Sequence, residues 1–392
     1  MEGSWFWSWE AGLWVFPRGF GLLPWWFSAC VVWVLAGGRG RVWVTLASSL
    51  GLAWLGGRPA WGAGAIISVA LLHGILPRLP RAVGAFFLLL LVFLGVGVGH
   101  SPVLLVSLPR EAVLEGRLSL HVAALFFLFR ALSYGVAVLF RGERPGFAES
   151  AEYFLAPPFW LEPGKGVQLS FATFSPEGAS LRERAWGLWW VVRGGVHALL
   201  FAALSPRVFG LLSERFSGAA SGGFRWWLEA GVLVFLLGYW EKSRMSYLLA
   251  GLLRLGGRRL EPDFRSPLLA KSLLEYWRRF HYWALEFYLE VLYQPLVYFL
   301  RVRGAVAIGL FLSFAVGTSV SHWIHYPAEA PVTVVFGVLF AAATLLHFAV
   351  IRLVRRWPWL WRFSWLGVPL TWATVGFLYV LAYPAFGLRW SA

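Results

Sequence analysis

Cysteine is nearly absent from this chain: Cys30 is the only one in 392 residues, and it sits inside an apolar run. A single thiol excludes a disulfide framework within the chain and any site built from several thiolates. Charge is scarce as well, at 14% of residues, and acidic charge most of all, with 19 Asp and Glu against 34 Lys and Arg. With 59% hydrophobic residues and a mean hydropathy of +0.66, the balance lies outside that of a soluble domain and predicts a polytopic membrane protein. There is no alternating strand pattern, short tandem repeat, phosphate loop, dinucleotide fingerprint or Ser-His-Asp arrangement. The basic region of a cleavable signal peptide is also missing from Met1-Glu2-Gly3-Ser4-Trp5, so the first apolar span is expected to target the chain.

What the chain has is tryptophan and arginine. Its 26 Trp suit the headgroup region, where an apolar ring and a polar N–H are both satisfied. The net charge of +15 falls in short loops between apolar runs, which fits orientation against anionic lipid and not nucleic-acid binding. Apolar runs able to cross a bilayer occur at 20–37, 42–56, 60–77, 83–107, 119–140, 186–204, 226–240, 304–324, 331–353 and 366–388. Shorter or more polar helices are expected at 246–255 and 284–300. An all-α protein of roughly ten transmembrane helices follows, since helices satisfy their own backbone in lipid. Arg39, Arg41, Arg78, Arg81, Arg141 and Arg144 fall in alternate loops; if these are cytoplasmic, the N-terminus faces outward.

Two stretches break the alternation of span and loop. Residues 142–185 are rich in Pro, Gly and Glu, and residues 242–303 mix Lys and Arg with aromatics. Re-entrant or interfacial helices covering a cavity would accommodate both. Two histidines attract notice there and beyond, because a protonatable group at membrane depth marks a functional site. With 275–288 read as one helix, Glu275 and Arg279 are i,i+4, as are Trp277 and His281, while Arg278 is i,i+3 from His281. The same belt also reads as aromatics and arginines snorkelling to headgroups. His322 ends the run from Gly304; it reads either as a packing histidine hydrogen-bonded across the bundle or as functional. His325 is one turn on, but Glu329 is the sole nearby carboxylate and Pro327 intervenes, so no metal site is expected. Arg130 and Glu229 are expected to face the bundle interior or each other.

The run from Asp263-Phe264-Arg265-Ser266-Pro267 through Glu275-Tyr276-Trp277-Arg278-Arg279-Phe280-His281 resembles the signature of membrane-bound O-acyltransferases. The likeness is to their bacterial branch of alginate O-acetylation and teichoic-acid D-alanyl transfer. Tyr288, Leu292, Tyr293 and Pro295 continue it. Upstream, Phe129-Arg130-Ala131-Leu132-Ser133-Tyr134, Arg141-Gly142-Glu143 and Leu248–Gly256 are similar to further motifs of that branch. Downstream, Thr318-Ser319-Val320-Ser321-His322 stands where the family carries a histidine. The likeness spans roughly 120–325. The chain departs from the branch at Asp263, where the family has Asn, and at Tyr239–Tyr247, where two aspartates are replaced.

The resemblance implies a single membrane domain over 1–392: N-terminal helices at 1–118, an acyltransferase-like core at 119–325 and C-terminal helices at 326–392. It implies acyl transfer, acetyl in the leading reading, from a cytoplasmic thioester to a hydroxyl of a cell-envelope glycan, in the inner membrane. His322 is then the general base, and His281 orients the donor or stabilises the carbonyl oxygen. Arg278 and Arg279 hold donor phosphates, Trp277 packs the tunnel wall, Glu275 anchors Arg279, and Asp263 completes the donor-binding set. No cofactor is implied beyond acyl-CoA or an acyl-carrier thioester as co-substrate. The partners are the bilayer, the acyl donor, the acceptor and an extracytoplasmic or carrier protein. A lipid acyltransferase using long-chain acyl-CoA is the alternative within the class. A non-catalytic or transport protein on the same fold is the alternative outside it.

Overall fold

A computed structural model describes residues 23–37, 39–55, 59–88, 90, 128–160, 169–174, 178–216, 224–300, 304–313, 315, 330–354, 356, 367–369, 371 and 374. Among them every regular element is helical and no strand occurs, so the class is all-α. Helices Leu23–Leu35, Arg39–Leu55, Pro59–Ile75 and Ala330–Val354 lie over four of the apolar runs. Among the described residues, one helical stretch, Leu181–Arg207, has the length and apolarity to cross a membrane. Pro24–Leu35, Gly62–Arg78, Leu128–Phe140 and Gly337–His347 are apolar but shorter. The runs expected at 83–107, 304–324 and 366–388 lie in part or mostly outside the described residues.

The longest elements, Leu181–Phe216 and Phe224–Leu255, form an antiparallel hairpin. Glycine sets how closely they approach. A Cβ on Gly187 would sit 3.0 Å from the Gly251 carbonyl oxygen, and one on Gly251 would sit 2.7 Å from that of Gly187. A Cβ on Gly194 would meet the Leu248 amide nitrogen at 2.8 Å. Small residues at such crossings let backbones touch, the mode of association that apolar solvent favours because it rewards dense packing. The separate helices expected at 226–240 and 246–255 are one continuous helix. Its polar stretch does not break it because those side chains have partners across the hairpin. Ser243 Oγ lies 2.6 Å from His197 Nδ1, and the Arg244 guanidinium covers the Phe201 ring at 4.5 Å.

The outer faces are apolar. On Leu181–Phe216 the side chains of Leu181, Leu188, Val192 and Leu199 are exposed at spacings of four and seven, with Leu199 at 73%. On Ala330–Val354, Val334, Val338, Leu346, Val350 and Leu353 are exposed at spacings of three, four and eight. Water-facing helices carry polar residues on that side.

The main core is built from Tyr134, Tyr153, Phe154 and Phe171, packed edge to face, with Phe174 tilted against Tyr153. Arg130 is fully buried within it. It faces the interior, as expected, and its guanidinium lies 3.7 Å from the Phe159 ring centre and 5.0 Å from that of Tyr153. The Glu229 side chain is outside what the structure describes. Next to this core, two of the motifs meet. Ser133 Oγ donates to buried Glu290 Oε2 at 2.5 Å and accepts from Phe171 N at 2.7 Å. Arg141 Nη2 lies 2.6 Å from Glu290 Oε1, and its Nε lies 2.9 Å from Glu143. The helix around Glu290 widens to a π turn over Leu289–Tyr293, and that around Ser133 does so over Val136–Phe140.

Glu290 is buried while Arg141 is partly exposed, so removing Arg141 strands a buried carboxylate. Arg141→Ala is therefore expected to destabilise the protein by roughly 3 kcal/mol. Arg141→Ala combined with Glu290→Gln should recover most of that loss. Thermal unfolding in detergent measures both, and equal melting of the single variant and wild type would refute the clamp.

Candidate functional site

The signature run folds as two short helices meeting at a corner. Ser272 caps the first, Leu273–Phe280: its Oγ accepts from Glu275 N at 3.1 Å, and Glu275 Oε2 turns back to accept from Lys271 N at 2.9 Å. The Ser-x-x-Glu spacing is that of a capping box, displaced by one residue, since Glu275 takes the amide before the cap and not that of Ser272. The other oxygen, Glu275 Oε1, takes Arg279 Nε at 2.9 Å and Nη2 at 2.8 Å. The expected Glu275–Arg279 pair is present.

The expected single helix over 275–288 is not. His281 sits at φ −143° and ψ 65°, and a second helix, Tyr282–Tyr288, starts after it. Nothing in Phe280-His281-Tyr282 breaks a helix by itself. The break is imposed by the segment 261–265, which runs alongside. Arg265 N donates to Arg279 O at 2.6 Å, Tyr282 N to Asp263 O at 3.0 Å, and Trp283 Nε1 to Glu261 O at 2.8 Å. Asp263 Oδ1 accepts from Trp283 N at 2.7 Å, supplying the new helix with a cap from a remote segment. Phe264 N in turn donates to buried Ser246 Oγ at 2.7 Å, which ties the segment to the long hairpin.

The second oxygen of Asp263 faces His281, with Oδ2 3.3 Å from Nδ1. A carboxylate only accepts, so the contact requires hydrogen on Nδ1, as in one neutral tautomer or in imidazolium. Nε2 is left for other work: among the described residues no hydrogen bond engages it. Aromatic walls fix the ring. Trp277 stacks on it with centres 6.4 Å apart and planes at 27°, as the i,i+4 spacing led one to expect, and Phe280 meets it edge-on at 4.5 Å. Trp277 also abuts Phe340 of helix Ala330–Val354 at 5.1 Å. The His281 side chain keeps 30% of its surface exposed, so the pair is sheltered without being sealed.

Of the expected site residues, Asp263, Trp277 and His281 are thus brought together, while Glu275 and Arg279 form a separate pair on the same helix. Arg278 stands apart on the exposed side of its helix, and among the described residues it makes no ion pair. Its carbonyl accepts from Arg265 Nη2 at 3.3 Å. His322, expected as the base, and His325 lie outside the described residues. Among the described residues no group of three or more His, Cys, Asp and Glu is placed to hold a metal ion. Glu261 and Ser246, which position the Asp263 segment, were missed by sequence reasoning because their partners lie 22 and 18 residues away.

No protein-family model matches the chain, and no curated protein matches it.

Proposed function

We propose that the chain is a membrane-bound O-acyltransferase of the inner membrane, crossing it roughly ten times. It moves a short acyl group, acetyl in the leading form, from a cytoplasmic thioester to a hydroxyl of a cell-envelope glycan. The observation that carries this reading is the Asp263–His281 pair, held at a helix break inside the acyltransferase-like signature with Nε2 unengaged. The apolar outer faces of helices Leu181–Phe216 and Ala330–Val354 support the membrane location, because contiguous exposed apolar surface of that kind demands an apolar neighbour.

The chemistry needs a base for the hydroxyl and a donor for the carbonyl oxygen. His322 takes the hydroxyl proton as the oxygen attacks the thioester carbon. The carbonyl π electrons move to its oxygen, which His281 steadies through Nε2–H while Asp263 stabilises the imidazolium. When the tetrahedral centre collapses, the C–S bond breaks, the thiolate takes up the proton and leaves, and the ester remains. Arg278 is disposed to meet phosphate groups of the donor, because it is exposed and makes no ion pair among the described residues.

Thiol release from acetyl-CoA and palmitoyl-CoA, followed with purified protein in detergent and a panel of glycan and lipid acceptors, tests the proposal. Acceptor-dependent release from acetyl-CoA is the expected result. Preference for palmitoyl-CoA with a lipid acceptor would replace the glycan reading with lipid acylation. Release no faster than without protein, for every pairing, would overturn acyl transfer.

A further inference from the structure

A second place in the molecule carries charge that the acyl-transfer reading does not use. Helix Phe224–Leu255 ends in Gly256-Gly257, and Gly257 adopts φ +91°. Three guanidinium groups from different elements gather there. Arg41 comes from helix Arg39–Leu55, Arg184 from the first turn of helix Leu181–Phe216, and Arg258 from the turn itself. A Cβ on Gly257 would lie 3.3 Å from Arg184 Nη2 and 3.9 Å from Arg41 Nη1, so the bare glycine is what leaves space between two cations.

Arg258 is the member that makes the cluster unusual. Only 5% of it is exposed; Nη2 is 2.6 Å from Glu152 Oε2, and its plane lies over the Phe174 ring at 4.6 Å. Its Nε and Nη1 are buried without a hydrogen-bond partner among the described residues. Arg41 leans on the same Glu152 oxygen at 3.9 Å and feels Arg258 and Arg184 as repulsive neighbours. Among the described residues no carboxylate pairs with Arg184.

The surrounding acids are committed elsewhere. Glu183 is shared by Arg254, at 4.0 Å, and Arg259, while Glu261 takes Arg254 at 3.2 Å and Arg265 at 3.6 Å. Glu149, half-buried near Arg258, is the next carboxylate. Counting Glu149 and Glu152 as ionised, the three arginines still exceed the carboxylates by one. Two of the three, Arg41 and Arg258, are largely desolvated, and like charges so placed are held together by an anion with several acceptor oxygens; a tetrahedral phosphate suits converging guanidinium forks best.

We propose that Arg41, Arg184 and Arg258, gathered around Gly257, form a phosphate-binding site. The site stands independently of the acyl-transfer reading. Arg41 lies in the first turn of helix Arg39–Leu55, in the basic run Arg39-Gly40-Arg41 of a kind that meets anionic lipid, so the phosphate belongs either to a phosphodiester headgroup or to a soluble phosphorylated ligand.

The full chain in phosphatidylcholine nanodiscs provides the test, with two probes. Phosphatidylglycerol is included at increasing fraction and its retention counted by native mass spectrometry; coenzyme A is titrated separately by calorimetry. Three variants accompany wild type: Arg184→Gln, Gly257→Ala and, as a control on the same exposed turn, Arg182→Gln. Wild type is expected to bind at least one probe, with a loss of at least tenfold in Arg184→Gln and Gly257→Ala and little change in Arg182→Gln. Phosphatidylglycerol retention that is lost in Arg184→Gln identifies the source as lipid, and coenzyme A binding lost in the same variant identifies it as soluble. Arg184→Gln alters an exposed side chain, so its unfolding temperature should match wild type and misfolding cannot mimic the loss. The proposal is overturned if wild type binds neither probe, if Arg184→Gln binds as wild type does, or if Arg182→Gln weakens binding equally.

Discussion

His281→Ala is expected to lower the turnover of acyl transfer by about 10²–10³-fold, the range found when a positioned oxyanion donor is removed. Melting should change little, because the His281 ring contributes one long hydrogen bond and two aromatic contacts at a partly exposed corner. Asp263→Asn separates the two tasks of Asp263. The amide keeps Oδ1 for Trp283 N, so the helix start survives. Its Nδ2 is a donor, however, and sets itself against hydrogen on His281 Nδ1. Turnover is then expected to fall between about tenfold and 10²-fold with KM nearly unchanged, the pattern of an interaction made in the transition state. Asp263→Ala should add a loss of about 1 kcal/mol in stability from the missing cap. Faster turnover in Asp263→Asn would sink the imidazolium role, since it would make neutral imidazole with hydrogen on Nε2 the working form. His322→Ala is expected to lose at least as much turnover as His281→Ala.

The local parts of this site were readable from spacing alone. Glu275 and Arg279, and Trp277 and His281, are one helical turn apart and meet as that geometry requires. The corner at His281 was not readable, because its cause is the carboxylate of Asp263 and the backbone of 261–265, and no residue near 281 announces them. The long helix Phe224–Leu255 shows the same limit from the other side. Glu241-Lys242-Ser243-Arg244 looks like an interruption, yet His197 and Phe201 across the hairpin supply what Ser243 and Arg244 need. Arg130 was placed in the interior by the cost of exposing it to lipid, which is where it lies. Its aromatic surroundings, Phe159 and Tyr153, depend on a chain path that periodicity does not encode. Helix class thus follows from composition and period, whereas corners and cross-element partners follow from tertiary contact.

Gly251→Leu is expected to destabilise the hairpin by roughly 3 kcal/mol, at the upper end of overpacking effects. The new side chain begins 2.7 Å from the Gly187 carbonyl oxygen and 2.8 Å from the Val191 amide nitrogen, so backbone and not a flexible tip must give way. Gly187→Leu should act likewise from the opposite helix. Gly195→Ala is the contrast: nothing lies within 4 Å of its Cβ, and replacing a helical glycine there should raise stability by about 0.5 kcal/mol. Fluorescence-detected size exclusion after graded heating measures all three. Wild-type behaviour of Gly251→Leu would mean that the helices do not rely on contact at that crossing.

Helices of 36 and 32 residues, at 1.5 Å per residue, reach about 54 and 48 Å. On the proposed membrane reading, the hydrocarbon is about 30 Å thick, and an upright hairpin would overhang it by roughly 20 Å. Glycine-locked backbones leave little room for the two helices to slide past one another, and Pro206 offers one bend near the far end. Reconstituted in bilayers of differing thickness, the hairpin should therefore answer by tilting as one stiff beam. If the hairpin crosses the bilayer as proposed, the Arg184 and Gly257 end would swing with it, and lipid thickness would act on the basic cluster through a lever built from small residues.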